Sequence, residues 1–128
     1  MILNILNEIA SAKGAKKVEA LSLHSTNDDL REIWHLAYGT HNFFTKKIYT
    51  GRGNSLLENC PDYDQLVDLL YVLEYRVVTG NAAKERIVEV LSNSSPEIID
   101  IYNRIILGNL QCGIGIEAGN KVWGNDFG

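Results

Sequence analysis

The sequence LQCGIGIEAGNKVW at residues 110–123 decides the fold, because two glycines two positions apart lead directly into a helix-like run. Gly113 and Gly115 flank one apolar residue, Ile114, so we predict a sharp turn in which Ile114 points inward. The following amides begin a helix, whose unpaired N–H groups and positive dipole end form a phosphate-sized anion site. An isolated Gly-x-Gly is more often a plain connection between two helices, and that interpretation stays open beside the anion site.

Apolar residues recur at helical spacing along most of the remaining chain. Capping residues, proline at a first helical position and closing glycines mark the ends of these segments. No strand-like alternation of useful length, fixed-period repeat or low-complexity segment occurs. We therefore predict an all-α fold, a compact bundle of about six or seven helices in a single domain over residues 1–128. The helices are expected near residues 2–13, 15–24, 28–38, 62–78, 80–91, 96–107 and after Gly115.

The core is predicted from the apolar faces of these helices. Residues 62–78 are apolar around most of the helix circumference, which predicts a helix buried on nearly all sides. The second helix is expected to bury Val18 and Leu21. The third is expected to bury Leu30, Ile33, Trp34 and Ala37. Cys60 and Cys112 are too few and too far apart for a metal knuckle and are interpreted as small buried thiols.

Composition excludes several classes of protein. The 128 residues are 45% hydrophobic, enough for one core, and no apolar run is long enough to span a bilayer. The N-terminus has no basic start or cleavage site, so we expect a cytosolic protein. A net charge of −4 argues against coating nucleic acid by bulk charge. Residues 1–53 nevertheless carry seven Lys/Arg against five Asp/Glu, whereas residues 54–128 carry five against eleven.

The helical period disappears between Thr40 and Pro61, where Lys46 and Lys47 precede a Gly-Arg-Gly turn. Long irregular regions in compact domains are often functional, and paired lysines can contact phosphates. The equally weighted alternative is a solubilising surface loop pinned by aromatic residues, namely Phe43, Phe44 and Tyr49. A second exposed helix N-terminus is predicted at Gly80 and Asn81.

Reactive constellations are missing from the sequence. It has no nucleophile elbow, no phosphate-loop Gly-x-x-x-x-Gly-Lys and no histidine pair at metal-ligand spacing. His24, His35 and His41 are interpreted as surface or interhelical residues. We therefore predict a binding module with no catalytic residue and no metal ligand.

Four strings resemble a known family when they are taken together. They are MILNILNEIAS at residues 1–11, TGNAA at 79–83, CG at 112–113 and NKVW at 120–123. In this order they are similar to the N-terminal domain of ATP-dependent DNA ligases from T-even-type bacteriophages. Residues 110–122 also have the spacing of a helix-hairpin-helix hairpin, which holds nucleic-acid backbone without reading sequence.

This resemblance implies an all-α DNA-binding domain that grips the minor groove on both sides of a nick. Separate nucleotidyltransferase and oligonucleotide-binding domains would perform the chemistry. Those domains would need ATP and Mg²⁺, whereas this domain would need no cofactor. The ligase signature Lys-x-Asp-Gly is absent from the 128 residues, so we expect one domain of a longer protein. Residues 124–128 would begin the interdomain linker. A phage-encoded protein would act in the host cytoplasm.

Two functions follow as hypotheses. The first is sequence-independent binding of nicked duplex DNA by a monomer, during DNA replication, repair and recombination. Its expected contacts are Lys46, Lys47, Gly80, Asn81, Gly113, Ile114, Gly115 and Lys121. The second is a helical protein-interaction domain whose acidic half docks a replication partner such as a sliding clamp.

The missing Lys-x-Asp-Gly gives the first testable prediction. Incubated with labelled ATP and Mg²⁺, the purified 128-residue chain should form no covalent adenylate, because the signature lysine that accepts it is absent. A labelled band that survives denaturation would contradict this expectation.

Overall fold

The computed structural model describes residues 1–124, and within that range it contains seven α-helices, one 3-10 turn and no strand. The all-α prediction is confirmed. The 3-10 turn is Ser55–Leu57, and the last residues of the predicted linker, 125–128, lie outside the described residues. The helices are α1 (Ile2–Ser11), α2 (Lys16–Leu23), α3 (Asp28–Tyr38), α4 (Tyr63–Glu74), α5 (Gly80–Ser92), α6 (Pro96–Leu107) and α7 (Ile116–Trp123).

The chain divides into two compact units. The terminal unit comprises residues 1–41 and 108–124, and the middle unit comprises residues 42–107. The single domain predicted over residues 1–128 stays a prediction. No helix within residues 1–124 is both long and apolar enough to cross a membrane.

The terminal unit is built from α1, α2, α3 and α7, with α2 packed on α1 and with α7 packed on α2 and α3. Asn27 caps α3, since its side chain accepts a hydrogen bond from the Leu30 amide at 3.1 Å. The predicted buried stripes need two corrections. Ala37 is half-buried while Leu36 is buried, and Val18 is half-buried while Ala20 is buried. The side chains of this unit that are at most 1% exposed are Ile2, Leu6, Ile9, Leu21, Leu30, Ile33, Trp34, Leu36, Leu110 and Cys112.

The middle unit packs α4 against α5 and α6. Local capping starts two of these helices: Asp62 accepts from the Gln65 amide at 3.0 Å, and Ser95 accepts from the Ile98 amide at 3.3 Å. The core comes from one face of each helix, and each fully buried leucine or isoleucine contributes about 1.5–3 kcal/mol. Its members are Leu66, Leu69, Leu70, Leu73, Leu91, Ile98, Ile101, Tyr102 and Ile105.

The prediction that residues 62–78 form a helix buried on nearly all sides is wrong. The helix ends at Glu74, and its buried residues are four leucines on a single face. Arg76 has a φ of +56°, a left-handed conformation that stops the helix. Val77 therefore falls outside α4, and its side chain is 69% exposed.

Cys60 differs from its expected burial, and the histidines make contacts that the sequence alone did not show. Cys112 is buried as predicted, but Cys60 is exposed, because it lies beyond the 3-10 turn in an irregular segment. His24 Nε2 lies 2.8 Å from Glu8 Oε2, and His41 Nε2 lies 2.8 Å from His35 Nδ1. Among the described residues no group of three or more His, Cys, Asp or Glu is placed to hold a metal ion.

A buried hydroxyl in the middle unit gives the second prediction. Tyr102 is fully buried, its hydroxyl has no hydrogen-bond partner among residues 1–124, and burial raises its pKa from 10.0 to about 12. Because an unfolded tyrosine ionises near pH 10, the folded state loses stability as the pH rises from 10 to 12. The loss should reach about 2–3 kcal/mol at pH 12, since each unit of pKa shift corresponds to about 1.4 kcal/mol.

Tyr102→Phe should remove both the unsatisfied hydroxyl and this pH-dependent loss. We expect it to raise the free energy of unfolding at pH 7 by about 1 kcal/mol, because an unpaired buried donor is costly. Urea denaturation of parent and variant at pH 7, 9 and 11 measures the difference. Equal losses in the two proteins above pH 10 would contradict the prediction.

Candidate nucleic-acid interface

The predicted contact residues fall into two groups, one in each unit. Gly113, Ile114, Gly115 and Lys121 belong to the terminal unit, whereas Lys46, Lys47, Gly80 and Asn81 belong to the middle unit.

The turn before α7 needs glycine at one of its two glycine positions. Gly113 has a φ of +83°, and a Cβ atom there would lie 3.1 Å from both Cε and Nζ of Lys17. Gly115 has a φ of −140°, and a Cβ atom there would lie 3.5 Å from the Tyr38 ring, which is ordinary van der Waals contact. Gly113 is therefore constrained by conformation and by Lys17, whereas Gly115 tolerates a small side chain.

Lys17 occupies the inner side of this turn. Its Nζ donates to the carbonyl oxygens of Ile9 at 3.2 Å, Ala10 at 2.9 Å and Cys112 at 3.2 Å. The first two lie in the last turn of α1, where a cation is favourable, and the Ile9 carbonyl also accepts from the Ala12 amide at 3.1 Å. An ammonium group has three donors. Lys17 therefore has no donor left for a phosphate.

Three aromatic side chains fix the segment on either side of the turn. Trp34 Nε1 donates to the Gly115 carbonyl at 3.1 Å, and the Leu110 amide donates to the Tyr38 hydroxyl at 2.9 Å. Trp123 Nε1, at the far end of α7, donates to the Ser25 carbonyl at 2.9 Å. Trp34 is thus a core residue, as predicted, and its polar edge holds the turn.

The inward residue of the turn is Cys112, not Ile114 as predicted. Gln111 and Gly113 both have left-handed φ angles, +59° and +83°, and they turn the chain so that the thiol between them is buried. Ile114 is half-buried and lines a shallow groove that also contains Gly113, Gly115 and Lys121. The structure therefore brings the four predicted residues of this unit together.

The N-terminus of α7 is only partly suited to an anion. Gly115 is the N-cap and supplies no side-chain hydrogen bond, so the first amides of α7 have no side-chain cap. Glu117, however, is exposed in the first turn and borders the same groove. Its carboxylate already balances the positive helix end and repels a phosphate.

In the middle unit the predicted lysines lie in an irregular stretch that we call the lysine segment, residues 43–54. It is attached at three points. Phe43 is buried, Tyr49 exchanges two hydrogen bonds with Asn103, and the Asn54 amide donates to the Ser94 carbonyl at 2.7 Å. Phe44 does not pin the segment as predicted, because it is 54% exposed.

Two adjoining grooves of the middle unit collect cationic side chains. The first lies between Phe44 and the start of α5 and includes Arg76, Gly80 and Lys84. The second includes Lys47 and the first residues after it, and it also includes Lys84. Both grooves share Thr45, Lys84 and Ile87. Lys46 and Asn81 are exposed but line neither groove.

Arg76 and Lys84 were missed by sequence reasoning. Arg76 was placed inside a helix, but it follows α4 and its guanidinium lies 4.2 Å above the Phe44 ring centroid. The two partners of this contact, Arg76 and Phe44, have left-handed φ angles of +56° and +58°. Lys84 lies four residues after Gly80, one turn into α5, and that spacing could have identified it.

The N-terminus of α5 suits an anion better than that of α7. Thr79 makes no side-chain cap, and the first turn of α5 contains no acidic residue. Gly80 has a φ of +55° and open space around its Cβ position, so its backbone is accessible. No carboxylate in the first turn therefore offsets the positive end of the α5 dipole, and Lys84 and Arg76 add positive charge beside it.

Comparisons with known proteins agree with the family resemblance. No protein-family model matches the chain. The chain is 30% identical over 126 residues to the DNA ligase of enterobacteria phage T4, and equally to that of phage T6. Each alignment covers 96% of the chain and 26% of the ligase, so the chain spans about a quarter of the length of these curated relatives. The resemblance predicted from the sequence is confirmed.

Solved structures support the same fold. The chain matches a structure named Pmar-Lig_PreS3 with a TM-score of 0.80 and 20% identity over 95% of the chain and 29% of that structure. A second structure, named Pmar-Lig_Pre., matches over the same shares with a TM-score of 0.66 and 20% identity. At this identity the likeness concerns the fold alone.

The two glycines of the turn give a matched pair of substitutions. Gly113→Ala should lower the free energy of unfolding by about 1–2 kcal/mol, the cost of a left-handed conformation for an L-residue. Gly115→Ala should change it by less than about 0.5 kcal/mol, because its Cβ would make only ordinary contact. Urea denaturation of both variants tests the difference, and equal losses would show that the assignment of the constraint to Gly113 is wrong.

Proposed function

We propose that this chain binds nicked duplex DNA without reading its sequence, as the N-terminal part of an ATP-dependent DNA ligase. Such a ligase would act in DNA replication, repair and recombination. The observation that carries the proposal is that Lys47, Arg76 and Lys84 line two adjoining grooves. These grooves lie beside the N-terminus of α5, whose first turn contains no acidic residue. The similarity of the chain to the phage T4 ligase supports it.

The contacts are assigned to the DNA backbone. Each phosphate neutralised by a lysine or arginine releases counterions, which supplies affinity that depends on salt and not on base sequence. The amides at Gly80 and Asn81 add a helix-terminus contact worth about 0.3–1 kcal/mol. A ligase must join ends of any sequence, and contacts restricted to phosphates and sugars meet that demand.

Exposed apolar side chains beside the cations suit the minor groove. Ile48 and Val88 are 39% and 53% exposed, and both border the groove that contains Lys47. Proteins that bind the minor groove combine basic residues with apolar contacts. We assign Ile48 and Val88 to sugar contacts, with the lysines reaching the flanking phosphates.

The terminal unit is assigned a weaker contact. Gly113, Ile114 and Gly115 present the start of α7, and Lys121 lies in its last turn, but Glu117 reduces the attraction for phosphate. The ligation chemistry, with its ATP and Mg²⁺, is assigned to other domains of the parent protein. The residues of this chain would hold and orient the nicked duplex.

The salt dependence of binding tests the proposal. Lys47→Ala and Lys84→Ala should each weaken binding to nicked duplexes of different sequences alike, and each should make the slope of log K against log salt shallower by about one unit. Lys46→Ala should have a smaller effect, because Lys46 lines neither groove. Fluorescence anisotropy at several salt concentrations measures both quantities.

Lys13→Ala is the matched control, since Lys13 is exposed in the other unit and lines none of the grooves described above. Unchanged slopes for both groove lysines would remove these grooves from the interface. Docking of a sliding clamp, the alternative function, expects no salt-dependent complex with DNA at all.

A further inference from the structure

The lysine segment is held at its middle by a side chain from α6. Asn103 accepts a hydrogen bond from the Tyr49 amide at 2.8 Å and donates one to the Tyr49 carbonyl at 3.0 Å. The side-chain amide thus satisfies both backbone groups of one residue, as a neighbouring strand would. Tyr49 follows Lys47 by two positions.

Helix formation does not account for asparagine at this position. Asparagine is a weak helix former in a helix interior, and Asn103 lies in the interior of α6. It is half-buried and is not part of the buried face formed by Ile98, Ile101 and Ile105. Its amide makes contacts that alanine or leucine could not make.

The two bonds matter because the lysine segment has no regular secondary structure of its own. Phe43 anchors its start and Asn54 its end, which leaves Lys46, Lys47 and the following residues to be ordered between them. Binding is tighter when the groups that make the contacts are already ordered in the free protein.

We propose that Asn103 is a positioning residue for DNA binding, which holds Lys47 at its groove in the free protein. The inference rests on the proposed function, because it takes Lys47 as a phosphate contact. Asn103 itself touches no DNA in this proposal. Its effect on affinity passes through the lysine segment.

A double-mutant cycle tests this proposal. Asn103→Ala should weaken binding to nicked duplex by about three- to tenfold, the scale of one hydrogen bond. In a Lys47→Ala background the same substitution should change affinity much less, because the side chain that it positions is gone. Alanine favours helix, so α6 is expected to stay intact, and Asn103→Ser provides a second variant too short to bridge both backbone groups.

Trypsin provides a readout of the segment itself. Trypsin cleaves after lysine and arginine, so Lys46, Lys47 and Arg52 are cleavage sites. Under conditions in which the two proteins have the same free energy of unfolding, cleavage there should be faster in Asn103→Ala than in the parent. Asn93→Ala is the control, because the Asn93 amide donates to the Glu89 carbonyl within its own helical region. It should leave both cleavage and affinity unchanged.

The outcomes separate the inference from the function on which it rests. If Lys47→Ala binds DNA like the parent, the proposed lysine contact fails and the inference fails with it. Suppose that Lys47→Ala weakens binding. If Asn103→Ala then has no effect on affinity, or has the same effect with and without Lys47, only the inference fails. Unchanged trypsin cleavage in both Asn103 variants would also overturn the inference.

Discussion

The terminal unit depends on one ammonium group shared between three carbonyl oxygens. Lys17 donates to the Ile9 and Ala10 carbonyls in the last turn of α1 and to the carbonyl of Cys112, so it joins α1 to the turn before α7. A Cβ atom on Gly113 would lie 3.1 Å from Cε and Nζ of Lys17, so this lysine would have to shift to admit a side chain there. A lysine near a proposed DNA contact is readily interpreted as a phosphate contact, but Lys17 bonds three backbone carbonyls instead.

Two helices with a glycine at or next to their first residue, α5 and α7, differ in the charges around their N-termini. Gly80 is the first residue of α5 and Gly115 is the N-cap of α7, and neither helix has a side-chain cap hydrogen bond. Glu117 neutralises the start of α7, whereas the first turn of α5 is free of acids and has Lys84 and Arg76 beside it. The residues in the first turn therefore make the N-terminus of α5 a better candidate anion site than that of α7.

Sequence reasoning succeeded where the determining contacts are local. The caps at Asn27, Asp62 and Ser95 bond amides three residues away, and they located the starts of α3, α4 and α6. It failed for the end of α4, because the left-handed conformation of Arg76 has no signal in an apolar pattern. It also missed the link between Tyr49 and Asn103, 54 positions apart, since only the folded chain brings them together.

The acidic composition of the chain is compatible with the proposed DNA binding because electrostatic attraction in salt is local. At physiological ionic strength, charges farther than about 8 Å apart through solvent are largely screened. The middle unit carries seven Lys/Arg and nine Asp/Glu, so its total charge does not attract DNA. What a phosphate meets at the grooves is Lys47, Arg76, Lys84 and the positive end of α5. An acidic surface elsewhere would limit coating of DNA by bulk charge, so binding would depend on contact with these grooves.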